Sequence, residues 1–144
     1  MRKHNRGLTT VEFSIVATVL FMTLFAVLEF SRLMYTFAVL AEGTRRGARL
    51  ATVCPLNDAG IANTVNFAAL PGFASNDVQL SYLDASGAVT ATYSAIAYVR
   101  VSIVGYSVPL SIPIVNPTIA SPGFAVTLPR ESLGVSPTAV TPCS

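Results

Sequence analysis

Residues 6–28 read RGLTTVEFSIVATVLFMTLFAVL. From Leu8 to Leu28 there are 21 residues, and Glu12 is the only charge among them. At about 1.5 Å rise per residue such a run makes roughly 30 Å of helix, the thickness of a hydrocarbon core. A single membrane-spanning helix over residues 8–28 is the direct reading. A cleaved secretory signal is the competing one. Its apolar region should be about 7–15 residues long and end at a small-residue site. This run is longer, and its helical pattern continues past Leu28 without a break.

Working outward from that run, no proline occurs before Pro55, and the pattern beyond Leu28 turns amphipathic. Leu33, Phe37, Leu40, Thr44 and Ala48 fall on one side at helical spacing. Glu42 and Arg46 have the i,i+4 spacing of a surface ion pair. The spacing predicts one helix from residue 8 to about 53, a rod of about 70 Å. Its outer half needs a surface to cover the apolar face. Gly43 and Gly47 form a small-xxx-small step that lets either the head or a second helix approach closely.

Residues 54–144 predict a small head. Asn57-Asp58 caps a short helix that starts near Ile61 and ends by Pro71-Gly72. Val78, Leu80 and Tyr82 alternate with polar residues as a strand. The turn Ala85-Ser86-Gly87 should lead into a second strand through Val89, Ala91 and Tyr93. Residues 96–104 read as a more buried strand, residues 105–123 as a proline-rich loop with extended pieces, and residues 124–128 as the last strand. The tail after Glu131 reads as poorly ordered up to Cys143. The fold class is α+β, a long amino-terminal helix followed by a small antiparallel sheet.

Charge divides along the chain. Residues 1–53 carry seven Arg or Lys against Glu12, Glu29 and Glu42, and residues 54–144 carry Arg100 and Arg130 against four acids. The overall charge of +2 is no argument for nucleic acid. Arg2, Lys3 and Arg6 abut the apolar run, which places the amino terminus in the cytoplasm and the head outside the inner membrane. Arg32, Arg45, Arg46 and Arg49 on the far side vote more thinly against it. In an oxidising compartment Cys54 and Cys143 can form a disulfide. Closing the 88 residues between them is worth on the order of 4–5 kcal/mol by chain-entropy reasoning. Two free thiols, or an intermolecular bond, are the alternatives.

Little here carries chemistry. The one histidine is His4, the cysteines are too few and too far apart for a metal site, and no glycine-rich phosphate loop occurs. No cofactor and no enzymatic activity are expected. Glu12 stands apart. As a plain helix-end acid it would complement the dipole, which accounts for its tolerance but not for its place five residues after Gly7, behind a basic leader. A carboxylate in a spanning segment is costly and marks function. The stretch resembles the cut site of pilin-like proteins, and that resemblance implies that, once the chain is cut after Gly7, the new ammonium group at Leu8 needs an anion that a neighbouring subunit's Glu12 supplies. Glu29 and Arg32, at i,i+3, are either an interfacial ion pair or a register-setting contact with another subunit.

The leader and Gly7, Leu8, Glu12 and Phe13 resemble the cleavage site of pilin-like proteins. Taken with Glu29-Phe30-Ser31-Arg32-Leu33 and Arg46-Gly47-Ala48-Arg49-Leu50-Ala51, they resemble the TadE-like family across residues 6–51. These are minor pilins or pseudopilins of the tight adherence (Flp, type IVc) pilus. The resemblance implies a leader of residues 1–7 removed by a prepilin peptidase and a periplasmic head. The partners it implies are other pilins or pseudopilins, the inner-membrane assembly machinery and membrane lipid. Leu8 stands where many pilins have phenylalanine. A signal-anchored periplasmic binding or scaffold module with an intact leader is the alternative.

Overall fold

The structure, a computed structural model, describes residues 6–66, 70–111 and 117–135. Helix α1 runs from Arg6 to Val53, as the uninterrupted apolar and then amphipathic pattern requires. The chain divides into two compact units, Met1–Met34 and Tyr35–Ser144. Of the expected leader, residues 1–5 lie outside the described residues, while Arg6 and Gly7 are helical.

In the first unit the apolar side chains face outward. Phe13 is 73% exposed, and Leu20, Phe21, Phe25 and Leu28 are exposed with it. The window of highest mean hydropathy, 2.3, is unburied, as a membrane-crossing helix requires and a soluble core helix forbids. The polar side chains close back onto the helix. Ser14 Oγ donates to the Thr10 carbonyl at 2.8 Å, Thr18 Oγ1 to that of Ser14 at 2.7 Å, and Thr23 Oγ1 to that of Leu20 at 2.7 Å. No hydroxyl among these three needs water, which is what a hydrocarbon environment asks.

In the second unit the outer half of α1 supplies one wall of the core. Leu40, Thr44, Ala48 and Ala51 are buried, so the amphipathic side read from the sequence is the covered one. Thr44 is satisfied by donating to the Leu40 carbonyl at 2.7 Å. Helix α2, Ala59–Val65, starts where Asp58 accepts from the Gly60 amide, and it buries Ile61 and Val65. The glycine step is used here within the chain. A Cβ on Gly43 would overlap the Val65 carbonyl oxygen, and one on Gly47 would overlap the Val65 side chain. Two glycines therefore let α2 lie directly on α1.

The main sheet has the order β1-β2-β5, all antiparallel: β1 Val78–Leu83, β2 Tyr98–Ile103 and β5 Ala125–Pro129. Central β2 turns Val99, Val101 and Ile103 into the core. The expected strand through Val89, Ala91 and Tyr93 does not form. Asp84 accepts from the Ser86 and Ala88 amides and closes a tight turn, leaving only a single bridge between Leu83 and Val89. Val89 is 77% exposed, so no burial holds a strand there, and Tyr93–Ala95 becomes a 3-10 turn. Within the expected proline-rich loop, β3 Ser107–Pro109 pairs with β4 Thr118–Ala120 as a separate ribbon.

The tail reading also needs correction as far as Val135; residues 136–144 lie outside the described residues. Residues 131–134 dock on the end of α1, where the last carbonyls have no partner within the helix. The Glu131 and Leu133 amides donate to the Thr52 carbonyl at 3.2 and 3.1 Å, and Gly134 donates to that of Val53 at 2.6 Å. Leu133 is 2% exposed. Gly134 has φ +77° and lies against Pro55, so the position tolerates no side chain.

Candidate functional site

The sequence points to a series of positions along α1. Gly7 and Leu8 lie in its first turn, so the bond expected to be cut is helical in the uncut chain. Glu12 is exposed one turn after Leu8, on the same face. Its neighbours on that face, Leu8, Ile15, Val16 and Val19, are all more than half exposed. A carboxylate is thus displayed in the middle of an apolar surface. Among the described residues no ion pair satisfies Glu12. Phe13 projects from the adjoining face.

Thr10, Ser14 and Thr18 recur at i,i+4 and line a shallow open groove with Val11, Ile15 and Val19. The four-residue step of these small residues is visible in the sequence, and Ile15 and Val19 join the groove to the face that carries Glu12. Glu29 and Arg32 do pair, at 3.3 Å within the chain. That is the local ion-pair reading, worth at most about 1 kcal/mol at an exposed site, and it leaves contact with another subunit untouched.

On the outer half of α1, Arg46 Nε donates to Glu42 at 2.9 Å, and Arg45 approaches the same carboxylate at 3.8 Å. The hydrogen bond from Arg46, followed by the fields of the neighbouring arginines, holds Glu42 below the usual carboxylate range. In the head, Tyr82 is held above its ordinary value by burial, although its oxygen accepts from the Asn57 amide at 2.8 Å. Asp84 is held low by the Ser86 hydroxyl and then by backbone amides, a turn-closing role. These groups do not converge on a catalytic pair. Among the described residues no cluster of potential metal ligands occurs.

Cys54 is fully buried at the end of α1 and is not a free thiol. Cys143, its expected partner, lies outside the described residues. Arg130 and Tyr93, not singled out by sequence, form a clasp beside the docked tail. Arg130 donates to the Tyr93 carbonyl at 3.0 Å, and the Tyr93 hydroxyl donates to the Ser132 carbonyl at 3.3 Å.

Residues 7–49 match the family model described as TadE-like protein. The match contains Gly7, Glu12, Glu29 and Arg32, and it bears out the resemblance read from the sequence over the long helix. No curated protein and no solved structure matches the chain.

Proposed function

We propose that this chain is a minor pilin or pseudopilin acting in assembly of a tight adherence (type IVc) pilus. On this reading a prepilin peptidase cuts after Gly7, and the mature protein crosses the inner membrane once. Its amino terminus is cytoplasmic and its head periplasmic. It is a structural subunit without catalysis or cofactor. Its partners are the peptidase, other pilins or pseudopilins, the inner-membrane assembly machinery and membrane lipid.

The observation that carries the reading is the TadE-like match over residues 7–49, laid on one helix that displays Glu12 amid exposed apolar side chains. Assembly gives that carboxylate a purpose. The ammonium group created at Leu8 and a neighbour's Glu12 are each costly alone in hydrocarbon and much less so together. Glu29 and Arg32 would then set register against a second subunit. A Cys54–Cys143 disulfide would hold the tail to the end of α1, in keeping with the docked residues 131–134 that lead toward it.

The test is the amino-terminal sequence of protein recovered from membranes, with and without a prepilin peptidase. A start at Leu8 only in the presence of the peptidase supports the proposal. A start at Met1 in both overturns it in favour of an uncleaved, signal-anchored module.

A further inference from the structure

The end of the head around Phe37 is built from uncharged chain. Residues 101–129 contain no charged side chain, and Arg100 and Arg130 bound the stretch. Contacts at its two ends fix how it lies within the second unit. The rings of Phe37 and Phe124 meet edge to face with centroids 6.2 Å apart, whereas Ser132 and Gly134 donate to the Val53 carbonyl. Strand β5 therefore runs along α1 with Ala125 at the Phe37 end, and antiparallel β2 reaches the same end at Ile103. Beyond Ile103 the chain turns at Gly105, φ +76°, into the β3–β4 ribbon. The Ser121 amide donates to the Tyr106 carbonyl at 2.9 Å, and the Tyr106 ring packs on Phe73 with centroids 5.2 Å apart. The ribbon and the turn Ser121–Gly123 thus close this end of the head. Its one acid, Asp77, accepts from the Ala74 amide at 2.8 Å. Asp58, Asp84 and Glu131 belong to the other end, beside Pro55, Leu83 and Thr52.

This end is open and partly apolar. All three residues of β4 are exposed, Ile119 at 37%. Val104, beside the Gly105 turn, is 42% exposed, and Tyr35 on α1 is 62% exposed. Covalent geometry limits how far these side chains can be from a bilayer. Helix α1 is unbroken from Arg6 to Val53. Phe37, nine residues after Leu28, is therefore no more than about 14 Å from the end of the apolar run, and Tyr35 no more than about 11 Å. Headgroups extend a bilayer by roughly 5–8 Å beyond each side of its hydrocarbon core. Lipid headgroups are then the nearest neighbours of this end of the head, continuous with the surface that the apolar run itself meets. Tyrosine settles at that level, and exposed apolar side chains gain by entering the boundary between headgroup and acyl chain. We propose that the Phe37 end of the head rests on the bilayer its own helix crosses, with Tyr35, Val104 and Ile119 in the headgroup layer. Since residues 101–129 carry no charge, the contact is apolar and does not require anionic lipid.

The contact exists only if α1 crosses a membrane, as proposed above, so the test separates the two. The chain has no tryptophan, and a single introduced one reports its own surroundings. Full-length Ile119→Trp, Val104→Trp, Phe21→Trp and Val89→Trp chains are placed one per nanodisc of zwitterionic phosphatidylcholine. The lipid carries bromine either near the headgroup or near the end of the acyl chain, and emission is compared with that in unbrominated discs. F21W, within the apolar run, should lose emission to the deep bromine and so checks the span. V89W, 77% exposed at the far end of the sheet, should lose none. I119W should lose emission to the shallow bromine and shift to the blue of V89W, and V104W repeats the measurement at a second position. Loss in F21W with none in I119W and V104W overturns the proposal and leaves the span standing. No loss in F21W overturns both. A blue shift of I119W that ignores bromine and needs two chains per disc assigns the surface to a second copy, and likewise overturns the lipid contact.

Discussion

Replacing Gly43 by alanine sets two effects of opposite sign against each other. Helix propensity favours alanine over glycine by about 1 kcal/mol in a helix interior, so a free or merely lipid-facing α1 would be stabilised. In the folded head, however, the new Cβ would overlap the backbone carbonyl oxygen of Val65. A backbone oxygen cannot rotate aside, so α2 must shift as a body, carrying the buried Ile61 and Val65 with it. Overpacking of this kind costs about 1–3 kcal/mol, and the rigid obstacle argues for the upper end. The net expectation is a loss of about 1–2 kcal/mol. For a unit of 110 residues this corresponds to a fall in Tm of roughly 4–12 °C. The chain has no tryptophan, so near-ultraviolet circular dichroism of its tyrosines follows melting of the detergent-solubilised protein. Gly47→Ala is the graded comparison, because its obstacle is the Val65 side chain, which can yield; its loss should be smaller. A G43A protein melting at or above the wild-type temperature would refute the close α1–α2 packing and return the glycine step to a contact between chains.

Glu12→Gln should abolish recovery of the protein in assembled pili or pilus complexes while leaving the head's melting temperature unchanged; normal co-purification would remove the assembly role of Glu12. Leu133→Ala should cost about 2–5 kcal/mol, the range for truncating a buried leucine, and denaturant titration reads it; no loss would mean that residues 131–134 do not hold the end of α1. Intact mass with and without reductant should show a two-hydrogen difference from a Cys54–Cys143 bond, and alkylation of both thiols without reductant would exclude it. Tyr82 gives a pH prediction. Its pKa in the folded head lies above the ordinary value of 10.0 because burial disfavours the phenolate, so its stabilising contribution is complete below that value and is lost as pH rises through the folded pKa. Tyr82→Phe should flatten this alkaline loss and cost about 1 kcal/mol for the hydrogen bond from Asn57; an unchanged alkaline profile in Y82F would assign the loss elsewhere.

What the sequence disclosed, and what it did not, follows from the range of the interactions. The long helix is a local object: an unbroken pattern, no proline until Pro55 and one buried side at helical spacing. It could be read nearly to its ends. The strand Val78–Leu83 announced itself by alternation and central β2 by its apolar run, and the last strand, read over residues 124–128, forms as Ala125–Pro129. The misread stretches depend on distant partners. Val89, Ala91 and Tyr93 alternate as a strand should, but the side chain of Asp84 satisfies the backbone of the turn and no core lies beneath Val89. Residues 131–134 looked like tail because their partners, the carbonyls of Thr52 and Val53, are some eighty positions away in sequence. The place of the β3–β4 ribbon at the Phe37 end of the head had no local signal at all. It is a product of strand register and of the Phe37–Phe124 contact.

Glu12 shows why a purely anchoring role is the weaker account of α1. A plain anchor gains nothing from a carboxylate among the exposed Leu8, Ile15, Val16 and Val19, since a spanning helix would turn these side chains to lipid and the acid would cost free energy there. If residues 1–7 are a leader beside a membrane span, as proposed, Arg2, Lys3 and Arg6 would provide cations there until it is cut. Cutting after Gly7 would remove all three and leave one ammonium group at Leu8, a single turn from Glu12. That cation could be neutralised by the chain's own Glu12, which makes an inert monomer, or by a neighbour's, which makes a contact. The two arrangements differ in a measurable way: a mixture of cleaved wild-type chain and a cleaved E12Q chain should co-assemble only if pairing is between subunits. Co-assembly in the mixture with none in E12Q alone supports exchange of the charge between neighbours. If E12Q assembles by itself as well as wild type, neither pairing is needed, and the reason for the acid lies elsewhere on the helix.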